Sequence, residues 1–357
     1  MSEPIRVLVV DDSALMRKMI PQMLERDNGI RVVGTAMDGE FALQKIVELK
    51  PDVITLDLEM PRMNGMDALR QIVKKHRLPV IIVSAHTTEG ANSTFKALAM
   101  GAFDFVAKPS NGASAHIADI ATQLTAKIRA AAQSRTRPTP SFAVPEFSKV
   151  EKVSRPKSAP SRVVAIGVST GGPNSVQYVL SRLPADFSGS ILIVQHMPEG
   201  FTEMFAKRLD ATCSMDVKEA KSGDLLLAGR ALVCPGNRHM KVRRAALGNM
   251  VVLSDEERVN GHRPSVDVLF RSVAQEFGAN SAAVLMTGMG EDGAEGMGLI
   301  KAAGGMTLAQ SAESCVVYGM PRAAIERGYA LRVSPLETLP NAIQSLCAKS
   351  AVAMAMS

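Results

Sequence analysis

Short apolar runs of strand type recur along this chain, each followed by a stretch of helical periodicity, and this alternation limits the fold more than any other feature. In the first third the runs are Val7–Val10, the less apolar Arg31–Thr35, Val53–Leu56, Val80–Val83 and Phe103–Ala107. They resume later as Val163–Ile166, Ile191–Gln195, Ala231–Cys234, Ala283–Thr287 and Met306–Ala309. Helical patterns lie between them at 173–183, 201–209, 266–277, 293–303 and 320–327, and a hairpin-like insertion spans Met240–Ser254. Strands that alternate with helices through short connections pair in parallel and take helices on both faces. The expected class is α/β. A chain of 357 residues is long for one core and comfortable for two.

Between Lys127 and Pro160 the periodicity breaks down into R-T-R-P-T-P-S-F-A-V-P and S-R-P-K-S-A-P. Five prolines with many serines and few apolar residues cannot build a core. Residues 127–160 therefore read as a flexible basic linker between domains at 1–126 and 161–350, with 351–357 a tail. The helix before the linker, about 113–132, is expected to fray into it. The net charge of +6 divides as −1, +6 and +1 over residues 1–126, 127–160 and 161–357. The basic excess belongs to the linker, so neither domain has the electrostatic footprint of a nucleic-acid binder, and a phospho-regulated transcription factor is disfavoured. The linker charge can steer the chain toward acidic partners or anionic lipid, although a solvated spacer is the simpler reading.

No signal-peptide core follows Met1, and no apolar run approaches the roughly eighteen residues that span a bilayer. A cytoplasmic protein, not inserted in the membrane, is expected. Cys213, Cys234, Cys315 and Cys347 are far apart and form no C-x-x-C pair, which suits buried reduced thiols.

In parallel α/β sheets, reactive groups gather at the carboxyl ends of the strands. In the first domain those ends carry Asp11-Asp12, Asp57, Ser84 and Lys108-Pro109. Converging carboxylates repel one another unless a cation neutralises them, and an all-oxygen set suits a hard divalent ion, Mg²⁺ above all. Asp57 then reads as a nucleophile toward a phosphoryl donor, with Ser84 and Lys108 binding the new phosphate oxygens. Each acid alone is better explained by solvation or helix capping, and it is the five positions together, each after a strand, that favour the phosphoryl reading. The motifs V-L-V-V-D-D-S, V-I-T-L-D-L-E-M-P, V-I-I-V-S-A and F-V-A-K-P resemble those of response-regulator receiver domains. That resemblance implies a doubly wound, flavodoxin-like domain with Asp57 as phosphoacceptor. It also implies Asp11, Asp12, Asp57 and the Glu59 carbonyl as metal ligands, and Ser84 with Phe105 as a switch pair. Asn64 departs from the family, which often has an acid there.

The second domain opens with V-V-A-I-G-V-S-T-G-G, in which Gly167–Gly171 matches the G-x-S-x-G elbow that exposes a serine at a sheet edge. The plain alternatives are a tight turn with Ser169 capping the next helix, or a phosphate-binding loop. A serine nucleophile needs an imidazole to take its proton and a carboxylate to orient that imidazole. The run ending at Gln195 is followed by His196, and the run ending at Thr287 by G-M-G-E-D-G-A. Ser169, His196 and Asp292 thus form a candidate triad, with Glu291 a rival acid and His239 and His262, in loop-like contexts, rival bases. Asp292 also reads as a cap of the helix that follows it. Backbone N–H groups near Thr170 and Met289 are candidate oxyanion donors.

The motifs I-G-V-S-T-G-G, V-Q-H-M-P, C-P-G-N-R-H, H-R-P-S-V-D and T-G-M-G-E-D-G-A-E-G resemble the catalytic domain of the chemotaxis protein-glutamate methylesterases. Those enzymes join a receiver to a serine hydrolase, so the resemblance covers nearly the whole chain. It implies hydrolysis of γ-methyl glutamyl esters, and deamidation of glutamine, on chemoreceptors. It further implies a chemotaxis histidine kinase as phosphodonor, a catalytic domain without cofactor, and an unphosphorylated receiver that covers the site. Residue chemistry alone reaches only a serine hydrolase under phosphorylation control. A hydrolase for another ester, or an output domain that binds a partner without catalysis, stays open at this point.

Overall fold

Aliphatic and β-branched runs buried on both faces leave their backbone no partner except a neighbouring strand. In the computed structural model, which describes residues 3–85, 87–108, 114–134, 158–246 and 248–348, these runs build two compact units, Met1–Thr139 and Pro140–Ser357. Both are α/β, as expected.

The first unit carries β1 (Ile5–Val10), α1 (Ala14–Leu24), β2 (Ile30–Ala36), α2 (Gly39–Leu49), β3 (Val53–Leu56), α3 (Gly65–Gln71), β4 (Val80–Ser84), α4 (Thr88–Ala99), β5 (Asp104–Ala107) and α5 (Ser114–Ser134). Its strands form one parallel sheet in the order β2-β1-β3-β4-β5, the doubly wound pattern. Because β1 pairs with β3, the carboxyl ends bearing Asp11-Asp12 and Asp57 lie side by side. Ser13, Asp38, Asn64 and Thr87 accept hydrogen bonds from the first turns of α1 to α4. Asn64 is therefore the cap of α3, a role its amide oxygen fills well.

The linker does not begin at Lys127. Residues 127–134 complete α5, with Ile128 and Ala131 fully buried. Lys127 pairs with Asp104 at 2.9 Å and Arg129 with Asp27 at 2.5 Å. Two cations expected in the linker are thus neutralised inside the first unit. The rest of the expected linker, from 135 to 157, and the tail 351–357 lie outside the described residues.

The second unit carries β6 (Val163–Val168), α6 (Gly172–Leu180), β7 (Ser190–Gln195), α7 (Phe201–Thr212), β8 (Asp216–Glu219), β9 (Arg230–Val233), β10 (His239–Arg243), β11 (Met250–Ser254), α8 (Val266–Phe277), β12 (Ser281–Leu285), α9 (Ala294–Ala302), β13 (Met306–Gln310), α10 (Met320–Glu326), β14 (Arg332–Ser334) and α11 (Leu339–Cys347). Seven strands form a parallel sheet ordered β14-β13-β12-β6-β7-β9-β8, and β10 with β11 forms the expected antiparallel hairpin. The order reverses at β6: the chain first builds outward through β7, then returns to place β12 on the other flank. The crevice beyond the carboxyl ends at such a reversal is where α/β proteins bind ligands. β6, β7 and β12 are buried along their whole length, and α8 packs on β6, β10 and α9. The four cysteines are free and buried. No helix among the described residues is long and apolar enough to cross a membrane.

Candidate active site

The chain leaves β6 at Ser169 in a tight turn, closed by Gly172 N–H donating to the Ser169 carbonyl at 2.8 Å. Gly171 sits at φ +77°, a region that strains any residue with a Cβ, and α6 begins at once. Ser169 N–H donates to the Thr287 carbonyl at 3.0 Å, which ties the elbow to the end of β12. On the other flank His196 N–H donates to the Val168 carbonyl at 3.1 Å, so serine and histidine leave adjacent strands at one level. Buried Gln195 ties them again, its Nε2 donating to the carbonyls of Ser169 at 3.0 Å and His196 at 3.2 Å. The loop after β12 presses against the serine: a Cβ on Gly288 would lie 2.8 Å from the Ser169 Cβ.

Asp292, 1 % exposed, gathers five donors. Its Oδ2 accepts from His196 Nε2 at 2.8 Å and Val266 N–H at 2.7 Å. Its Oδ1 accepts from Ser265 Oγ at 2.7 Å, and from Asn260 Nδ2 and Asp267 N–H at 3.2 Å each. It does cap a helix, but not the one that follows it. Val266 and Asp267 open α8, whose positive end faces the carboxylate, whereas α9 starts at Ala294 behind the N-cap Gly293 and has no side-chain cap. Burial pushes the carboxyl pKa up, yet the bonds from His196, Val266 and Ser265 outweigh it and hold the group well below the usual carboxylate range. With the Nε2 proton committed to this carboxylate, the accepting nitrogen of a neutral His196 is Nδ1, which is buried and has no hydrogen-bond partner among the described residues.

The rivals have other work. Glu291 is exposed and pairs with Arg327 at 2.5 Å. His239 is not in a loop: it opens β10, fully buried, with Nε2 donating to the Glu257 carbonyl at 2.9 Å and Nδ1 accepting from Ser265 N–H at 3.2 Å. Both nitrogens are spent, Nδ1 on Ser265, which in turn holds Asp292, and Nε2 on the Glu257 carbonyl. His262 lies flat on His196, ring centroids 3.8 Å apart and planes 7° from parallel. Burial first, and His196 beside it, push the His262 pKa down to about 4, so that this imidazole is neutral at pH 7. The amides of Thr170 and Met289 make no hydrogen bond among the described residues, which leaves them free as donors. Gln195, Asn260, Ser265 and Asp267 join the site without any local signal that marks them in the sequence. The motif V-Q-H-M-P contains Gln195 and H-R-P-S-V-D contains Ser265 and Asp267, but neither gives them roles.

A second polar cluster lies in the first unit. Asp11, Asp12 and Asp57 each offer an oxygen within 4.8 Å of the others. Lys108 Nζ lies 2.7 Å from Asp57 Oδ2 and 3.0 Å from Asp11 Oδ2. Burial opposes a charge on Lys108, but its bond to Asp57 prevails and raises its pKa. Burial raises the pKa of Asp11, whose Oδ2 takes no hydrogen bond of good geometry among the described residues despite Lys108. An under-satisfied buried carboxylate in an all-oxygen set fits a hard divalent cation such as Mg²⁺. Glu59 is exposed and its N–H donates to Asp57 Oδ1 at 3.2 Å. Ser84 Oγ donates to the Gly90 carbonyl at 3.1 Å, and buried Phe105 meets Phe95 edge to face at 6.4 Å.

Two family profiles match the chain, the response regulator receiver domain over residues 7–118 and CheB methylesterase over residues 164–343. A protein of Koribacter versatilis named protein-glutamate methylesterase/protein-glutamine glutaminase 2 is 61% identical over 345 residues, 95% of each chain. A Bacillus subtilis protein named protein-glutamate methylesterase/protein-glutamine glutaminase is 46% identical over 98% of this chain and 100% of its own. The crystal structure of the Thermotoga maritima CheB methylesterase catalytic domain, 38% identical, superposes with a TM-score of 0.51 over 52% of this chain and 98% of that one. The chain therefore belongs to the CheB methylesterase family and carries a response regulator receiver domain ahead of its catalytic domain.

Proposed function

We propose that the chain is a phosphorylation-activated serine hydrolase of bacterial chemotaxis adaptation. It removes methyl groups from glutamyl γ-esters, and deamidates glutamine side chains, on chemoreceptors. The observation that carries this reading is the His196–Asp292 pair: the acid is saturated with donors and ionised, while His196 Nδ1 is left without a partner at the level of the elbow serine. Nδ1 takes the Ser169 proton as Oγ bonds to the γ-carbonyl carbon. The oxyanion rests on the Thr170 and Met289 amides, a kind of donor whose loss typically costs ~10²-fold or more. Methanol, or ammonia from glutamine, leaves with the proton from His196, and water then resolves the acyl-enzyme through the same base.

Regulation belongs to residues 1–126, which receive a phosphoryl group on Asp57 from a chemotaxis histidine kinase. Asp11, Asp12, Asp57 and the Glu59 carbonyl would hold Mg²⁺, which neutralises the charge that builds on the phosphoryl oxygens. Lys108 and Ser84 hold those oxygens afterwards, and Ser84 with Phe105 passes the change on. The domain restrains the hydrolase of residues 161–350 until it is phosphorylated, and the chain works in the cytoplasm. The test is mass spectrometry of receptor glutamyl peptides after incubation with phosphodonor and either the wild type or Ser169→Ala. Conversion of glutamyl methyl ester to free glutamate by the wild type alone supports the reading, and conversion by both refutes it.

A further inference from the structure

We propose that His262 is the positioning residue of the catalytic base: its ring, stacked on His196, holds that imidazole in the one orientation that keeps Nε2 on Asp292 and Nδ1 available to Ser169. This role rests on the proposed triad and deepens it.

Among the described residues the His196 side chain has a single hydrogen bond, Nε2 to Asp292, and its other nitrogen is unpartnered. A ring anchored through one atom can still swing about that bond, and a swing changes where Nδ1 points. Resistance must come from packing against the ring face. His262 supplies that face, 3.8 Å away and within 7° of parallel.

The loop that presents His262 is itself stiff. Asn260 and Gly261 lie at φ +53° and +77°, and Val259 and His262 exchange backbone bonds of 3.1 and 2.9 Å. The next residue, Arg263, donates to the Asn237 side chain and to the carbonyls of Asp255 and Glu256. Asn260, in the same turn, donates to Asp292 Oδ1 at 3.2 Å and Asp267 Oδ2 at 2.8 Å. One short segment thus clamps both partners of the pair, the acid through Asn260 and the base through His262.

Charge permits the stack to survive the reaction. The charged groups acting on His262 are His196, Asp292 and Arg258, and those on Asp292 include His196 and, beyond it, Asp267. When His196 takes the serine proton it becomes an imidazolium beneath a ring that is neutral at pH 7, so no like-charge repulsion opens the pair. A neutral aromatic face favours a cation on it.

The experiment measures methanol release from methylated chemoreceptor membranes by full-length His262→Ala and His262→Phe. Ring ¹⁵N spectra of the same proteins read the His196 tautomer, and thermal melting controls for folding. His262→Ala is expected to lose about tenfold to a hundredfold in kcat, the scale of a base misplaced by about 1 Å, with KM nearly unchanged. It should also lose the pure Nε2–H signature. His262→Phe, which keeps a flat face and no nitrogen, should restore kcat to within a few-fold and restore the signature. Wild-type kcat in His262→Ala would overturn the proposal. So would a His262→Phe that melts normally and is no better than His262→Ala, since the nitrogens and not the face would then matter. Retained activity in Ser169→Ala would instead refute the triad beneath it.

Discussion

Replacing Asp292 by Asn keeps the shape of the side chain and removes its charge, and the hydrogen bonds around it set the cost. The carboxylate accepts five bonds and donates none. An Asn NH₂ must take the place of one oxygen. In the Oδ2 position it would oppose both His196 Nε2–H and the Val266 amide. In the Oδ1 position it would meet the Ser265 hydroxyl, which can turn, the Asn260 amide, which can flip only by abandoning Asp267, and the Asp267 N–H, which can do neither. The first placement drives the His196 proton onto Nδ1, the nitrogen that accepts the serine proton in the proposed mechanism. The second keeps the tautomer but removes the charge that stabilises the imidazolium 2.8 Å away. Substitutions of this type in serine hydrolases cost up to ~10⁴ in kcat. We expect between about 10² and 10⁴, or about 2.7 to 5.4 kcal/mol at about 1.36 kcal/mol per decade. Methanol release from methylated receptors reads the rate. Melting curves read the second consequence. The folded carboxyl titrates below its unfolded value near ~3.9, so its contribution to stability is present above about pH 4 and is lost as pH falls. The gap in Tm between wild type and variant should therefore be widest near neutrality and narrow below about pH 4. A variant with activity within about threefold of wild type would refute the orienting role and leave Asp292 as a cap of α8 alone.

Ser169→Ala and His196→Ala should each remove almost all receptor demethylation, and the double variant should be hardly worse, because groups that act as one unit are not additive; a double variant slower by the product of the two single losses would contradict this. Asp57→Asn, or chelation of Mg²⁺ in the wild type, should abolish phosphoryl transfer and activation by a phosphodonor while basal hydrolysis persists, as measured with radiolabelled phosphodonor and methanol release in parallel. Gly288→Ala would place a methyl 2.8 Å from the Ser169 Cβ and against the sulfur of fully buried Met320, so kcat should fall by about 10² and Tm should fall with it, as the overpacked elbow and core give way. Cleavage between residues 138 and 160 should release a hydrolase faster than the unphosphorylated whole, read as methanol release before and after the cut; a fragment no faster than the whole would end the restraint model.

Much of both sites is legible in the sequence because their key residues come directly after strands buried on both faces. Such runs are continuous and apolar, so the first polar residues after each must lie at the carboxyl edge of a sheet, and Asp11, Asp57, Lys108, Ser169 and His196 stand there, whereas Glu291-Asp292 follow β12 only after the loop 286–290. This signal is local and needs no knowledge of strand order. Where runs are not bounded by burial on both faces, it weakens. The edge strands β8 (D-V-K-E) and β14 (R-V-S) carry charge toward solvent and give no apolar run to mark them. The last turns of α5 read as linker because their polar side matches one, although Ile128 and Ala131 on the other side are buried in the first unit.

What the tertiary structure alone decided was which edge residues meet. Nothing in the chain order says that β12 lies beside β6, and without that pairing Asp292 has no reason to reach His196, 96 residues away. The choice of Asp292 over Glu291 rests on the N-terminus of α8, whose first amides attract the buried carboxylate while Arg327 takes the exposed one. His239 and His262 look alike in sequence, yet one spends both nitrogens at the buried start of a strand and the other lies stacked on His196. These distinctions come from contacts between segments far apart in the chain, and local preference, which reads only neighbours, carries no information about them.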